Sequence, residues 1–154
     1  MESILRGCRG RRSEQYKEGE ALIREGSRSG HLFVLEEGEI EISKGMVEIF
    51  RSASPGTIVG EMGALLDVPH TATVTAATRV KAYRIDDPGA FLGSDPEIAL
   101  HAATILARRL HSATNYLAEL KEQHRVKGAE LSAVNDMLQM LLKQPAPSET
   151  VAAE

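Results

Sequence analysis

The residues best suited to chemistry lie in one stretch, Gly60-Glu61-Met62-Gly63-Ala64-Leu65-Leu66-Asp67-Val68-Pro69-His70-Thr71-Ala72-Thr73-Val74. Gly60, Gly63 and Ala64 are small enough for backbone to approach a ligand closely. A short helix begun there would turn its first N–H groups toward an anion such as a phosphate. Glu61 is an acceptor suited to a sugar hydroxyl. His70 is a side chain whose charge changes near neutral pH. A buried structural turn explains the same glycines equally well.

Other chemistry is poorly supported. His31, His70, His101, His111 and His124 never fall at HxH or HxxxH spacing, so a metal-binding jelly roll is disfavoured. Cys8 is the single cysteine, has no base motif beside it, and has no internal disulfide partner. Neither a nucleophile elbow nor a P-loop is present. The expectation is a non-enzyme with no metal and no resident cofactor.

The elements that must position this stretch can be read around it. Strand-like runs occupy Glu20–Arg24, His31–Glu36, Glu39–Ser43, Met46–Arg51, Thr57–Val59, Thr71–Ala76 and Val80–Ile85, with Gly26, Gly30, Gly38, Gly45 and Gly56 between runs. Such short runs with glycine turns predict an antiparallel β-roll, jelly roll or barrel. After them, Asp87-Pro88 predicts a capped short helix, and Asp95-Pro96 opens a longer one.

Along the longer helix a 4-3 spacing links Leu106, Leu110, Ala113, Leu117, Leu120, His124, Lys127, Leu131, Val134, Leu138 and Leu141. That is a coiled-coil seam. Its first turns have their own domain to pack on. A helix of about 45 residues is roughly 70 Å long, so the distal stripe calls for a second chain and a homodimer. Gly128 predicts a kink or break nearby.

The expected organisation is a flexible basic arm over 1–15, a β domain with the start of the long helix over 16–110, a coiled-coil dimerisation helix over 111–143 and a disordered tail over 144–154. The arm holds Arg6, Arg9, Arg11 and Arg12. A phosphate-binding patch and a frayed, solvated terminus both fit them, and the second is expected.

The 154 residues carry 18 Lys plus Arg and 22 Asp plus Glu, a net charge of -4. That balance argues against general nucleic-acid binding. No apolar run reaches the length of a membrane span, and the N-terminal residues lack a secretory apolar core. A cytoplasmic protein without membrane attachment is expected. With no Trp, three Tyr and three Phe, the core must be aliphatic.

The stretch from Gly60 to Val74 resembles the phosphate-binding cassette of cyclic-nucleotide-binding domains, whose pattern is roughly G-E-[LM]-[GA]-L-x(4)-P-R-[TSA]-A-[TS]-V. The resemblance runs from Tyr16 to Leu110. It includes Tyr16–Gly26, His31–Ile40 and the Ala107-Arg108-Arg109-Leu110 segment found in bacterial members. It implies a β-roll and a cyclic nucleotide ligand, cAMP or cGMP. It also implies Glu61 on the ribose 2′-hydroxyl, with Gly60, Met62, Gly63 and Ala64 giving backbone around sugar and phosphate. Thr71 and Ala72 would meet the phosphate, and Thr114 or Asn115 on the long helix would meet the base.

The pattern departs at one position: the arginine that pairs with the phosphate is His70 here. Loss of a permanently charged fork removes about 1.5–3 kcal/mol, roughly ten- to hundredfold in affinity. Three outcomes are open. Binding survives through backbone donors and Glu61, with His70 protonated by the phosphate. The pocket prefers another ligand. Or the domain has lost its ligand and remains a structural dimer or scaffold. Few residues follow Leu110, so no helix-turn-helix or other output domain is expected, no direct DNA contact follows, and output would pass to an unidentified protein partner.

Overall fold

The computed structural model describes residues 2–125 and 137–141. The chain divides into two units, Met1–Ile105 and Leu106–Glu154. Lys127, the expected break near Gly128, Leu131, Val134 and the expected tail over 144–154 lie outside the described residues.

The first unit contains eight strands in two four-stranded antiparallel sheets. One sheet runs β1 (Ser13–Tyr16), β8 (Val80–Ile85), β3 (Leu32–Glu37), β6 (Ile58–Val59). The other runs β2 (Ala21–Ile23), β7 (Thr73–Ala76), β4 (Ile40–Lys44), β5 (Val47–Ser52). Helices α1 (Glu2–Cys8), α2 (Glu61–Leu66), α3 (Pro88–Gly93) and α4 (Pro96–Arg125) complete the elements.

The unbroken apolar run Leu32-Phe33-Val34-Leu35 places β3 centrally, because side chains alternate faces along a strand and both faces are covered. Phe33 and Leu35 join Leu22, Ile23, Ile40, Val59, Val74 and Ala82 in the core shared by both sheets. Leu32 and Val34 face the other way, into a core with Ile4, Ile58, Ile85, Phe91 and Ile98 from strands and helices. Two cores split by one strand therefore replace the single interior of a simple sandwich.

The N-terminal residues do not form the arm expected over 1–15. Residues Glu2–Cys8 are helical and Ser13–Tyr16 pair with β8 in the register Ser13↔Tyr83 to Tyr16↔Val80. Ile4 and Cys8 are wholly buried. The physical reason is division of labour on a short helix: Ile4 and Cys8 face the helix-side core, whereas Arg6 and Arg9 stay exposed. Gly7 admits the close approach, since a β-carbon there would lie 2.4 Å from Ile98 Cδ1. Arg11 stacks its guanidinium 4.9 Å from the Phe91 ring centre. Burial raises the Cys8 thiol pKa to about 11, so this cysteine is an unreactive core residue.

The helix signals after β8 are realised. Asp87 Oδ1 accepts from Ala90 N at 2.9 Å, with Pro88 at the first helical position of α3. Asp95 Oδ1 accepts from Glu97 N at 2.8 Å at the start of α4. In the second unit every described residue is helical, and Thr114 donates to the Leu110 carbonyl at 2.8 Å. No helix among the described residues is long and apolar enough to cross a membrane.

Candidate functional site

The site grows out of the turn after β6. Gly60 has φ of +86°, in the left-handed region. A β-carbon there would lie 2.8 Å from Ile23 Cδ1 and 3.2 Å from the His31 carbonyl oxygen. Glycine is required on both counts. The chain then forms the six-residue helix α2 and leaves it through Asp67, also left-handed at φ 51°, whose N–H returns to the Gly63 carbonyl. Arg28 Nη1 holds this exit, donating to the Asp67 carbonyl at 3.3 Å and lying 3.7 Å from its carboxylate.

His70 returns the chain across α2. Its backbone N–H donates to the Ser27 carbonyl at 2.9 Å, and its carbonyl accepts from Gly26 N at 2.8 Å. These bonds tie residue 70 to the β2–β3 loop, which is why β7 starts at Thr73 rather than at Thr71 as the sequence pattern predicts. The imidazole is buried, with Nε2 2.5 Å from Ser29 Oγ. It lies against backbone: a β-carbon at Gly63 would sit 2.8 Å from Nδ1, and one at Gly60 3.3 Å from Cε1. Burial pushes the His70 pKa below 6.5, while the Glu61 carboxylate pulls it upward. The neutral ring therefore predominates at pH 7.

The other residues singled out in the sequence are distributed as follows. Glu61 opens α2 and is only 4% exposed. Gly63 is buried, Gly60, Ala64 and Ala72 are half-buried, and Met62 is exposed. Thr71 is exposed, with Oγ1 4.0 Å from Met62 Sδ. These seven residues and His70's ring form one local assembly around α2. Thr114 belongs to the second unit.

Three contributors escape sequence reasoning: Ser29, Arg28 and Lys44. Ser29 meets His70 across 41 residues. Lys44, at the end of β4, donates to the Thr71 carbonyl at 3.1 Å. Neither has a motif; only the fold brings them to α2. Among the described residues no three His, Cys, Asp or Glu side chains are grouped to hold a metal ion.

A buried carboxylate heading a tight, glycine-lined turn suits a ligand that offers hydroxyl donors. The comparison with protein families matches residues 13–92 to the model of the cyclic nucleotide-binding domain. The chain belongs to the cyclic nucleotide-binding domain family. Among curated relatives, a cAMP-dependent protein kinase regulatory subunit of Eremothecium gossypii is 34% identical over 77 residues, 50% of this chain and 17% of that protein.

Two solved structures extend the likeness. One, described as Sp-2Cl-cAMPS bound to PKAR CBD2, is 25% identical with a TM-score of 0.55, covering 80% of this chain and 75% of the other. The Thermus thermophilus catabolite activator protein matches the fold with a TM-score of 0.62 at 18% identity, over 92% of this chain and 81% of the other. The two-sheet β-roll with a long C-terminal helix is thus the architecture of the cyclic nucleotide-binding domain.

Proposed function

We propose that this chain is a receptor for cAMP or cGMP that acts as a regulatory module, self-associates through α4 and passes its signal to a protein partner. The observation that carries the reading is Glu61, a carboxylate buried at the head of α2 between Gly60 and Gly63, inside the segment matched by the cyclic nucleotide-binding model. The family resemblance assigns this carboxylate to the ribose 2′-hydroxyl, from which it would accept a hydrogen bond. Gly60, Met62, Gly63, Ala64, Thr71 and Ala72 would surround sugar and phosphate. Thr114 would meet the base. Absence of enzymatic activity, of direct DNA binding and of membrane attachment, and residence in the cytoplasm, are parts of the same proposal.

One observation favours the second reading, a ligand-free structural dimer. His70 stands where the family pattern has arginine, and its ring is already occupied by Ser29 and held neutral by burial. Titration calorimetry of the full chain with cAMP and with cGMP decides between the two. The receptor reading expects saturable binding of at least one nucleotide, weakened at least tenfold by Glu61→Ala. No heat of binding from either nucleotide would overturn it in favour of the structural dimer.

A further inference from the structure

Between Gly60 and Val74 the chain carries two carboxylates, Glu61 and Asp67, and no lysine or arginine. An anionic ligand in this loop needs a cation from elsewhere in the fold. Two candidates reach it. Arg28 is held twice by Asp67, at the C-terminal end of α2 where helix carbonyls gather. Lys44 is different. Its Nζ hydrogen-bonds the carbonyl of Thr71, the residue immediately after His70, at 3.1 Å. The register explains its place: Ser43 pairs with Thr73 across β4 and β7, so the next residue of β4 comes opposite Ala72, within reach of the Thr71 carbonyl.

Lys44 has a carboxylate partner at the same distance as Arg28 does, but it lies beside residue 71 rather than at the end of α2. Its side chain is 62% exposed, and its nearest carboxylate partner, Glu25, stands at 3.7 Å. The other Glu25 oxygen is anchored on Gly45 N at 2.8 Å. A lysine on a four-carbon stem shifts its ammonium by several ångströms by rotamer change alone.

We infer that Lys44 supplies the positive charge for the cyclic phosphate, in the role that His70, buried and turned onto Ser29, leaves open. This inference rests on the receptor reading above. The cation thus comes from the sheet beside the cassette rather than from the cassette itself.

The test is equilibrium binding of cAMP and cGMP to the full chain, at several salt concentrations, for the wild type, Lys44→Gln, Lys44→Arg, Arg28→Gln, His70→Arg and His70→Arg/Lys44→Gln. The expected result is a loss of about tenfold with Lys44→Gln, as for one charge-assisted contact. Lys44→Arg retains binding, Arg28→Gln loses less than Lys44→Gln, and the salt dependence flattens in Lys44→Gln but not in Arg28→Gln. In the His70→Arg background the Lys44→Gln loss shrinks, because arginine then neutralises the phosphate. Unaltered affinity in Lys44→Gln would overturn the inference while leaving the receptor reading intact. So would a loss confined to Arg28→Gln. Failure of both the wild type and His70→Arg to bind either nucleotide would overturn the receptor reading, and this inference with it. Binding by His70→Arg alone would show that the natural chain has given up the ligand, overturning both.

Discussion

At Gly63 the residue scale reduces to a question of volume. Any β-carbon there would lie 2.8 Å from His70 Nδ1 and 3.2 Å from the Val68 carbonyl oxygen. The ring has little room to retreat, being buried and bonded to Ser29. Gly63→Ala is therefore expected to cost about 1–3 kcal/mol, the usual penalty for overpacking. The cost should be smaller when His70 is also alanine, and a double-mutant cycle by urea denaturation measures that coupling. Additive losses would mean that the ring is not what Gly63 accommodates.

His70 also has a pH signature. Its pKa in the folded chain lies below 6.5, through burial opposed by Glu61. The unfolded chain then takes up its proton first as pH falls. The contribution to stability is whole above about pH 6.5 and is lost as pH falls from there toward the folded value. His31 is shifted the same way, by burial and then by Arg84, so wild type alone does not isolate the effect. Comparing thermal midpoints of wild type and His70→Gln between about pH 7.5 and 5 does, and the wild type should fall more steeply. The importance of position 70 was legible in the sequence, as the point where the cassette pattern changes. Its buried, inward ring was not, because the group it meets, Ser29, is 41 residues away.

Elements differ in how openly their sequences declare them. Asp87-Pro88 and Asp95-Pro96 announce α3 and α4 because caps and helix-compatible prolines act locally. The strand runs are visible because Gly turns punctuate them, although β7 yields its first two expected residues to hydrogen bonds at the β2–β3 loop. Helix α1 was hidden. Seven residues containing Arg6 and Gly7 carry no readable period, and only packing against Phe91 and Ile98 makes them a core element. That difference is measurable. Ile4→Ala should destabilise the chain by about 2–5 kcal/mol, as for any fully buried isoleucine, seen as a lower urea midpoint with unchanged slope. A flexible arm would tolerate the change with no shift.

For the whole molecule, partnership concentrates in α4. From Leu106 onward the described chain is entirely helical, and one helix cannot bury its own apolar stripe. Leu106, Leu110, Ala113 and Leu117 follow the 4-3 spacing of a seam; Leu106 and Leu117 are half-buried and Leu110 is 47% exposed. The periodicity is legible because it is a property of one chain, whereas its complement belongs to another molecule. If two copies pair along this stripe, glutamates at Leu110 and Leu117 would place four carboxylates in the seam, each without a cation opposite. Leu110→Glu/Leu117→Glu should then elute at the mass of one chain where the wild type shows two, by light scattering after size exclusion. Asn115→Glu, on the opposite face of the heptad, should keep the wild-type mass. Circular dichroism guards against simple unfolding, since the β-roll has its own two cores and should persist in the monomer. If the double variant keeps the mass of two chains, association does not run through α4. A wild type that is itself one chain at micromolar concentration would leave the stripe to a different protein and remove the homodimer from the proposal.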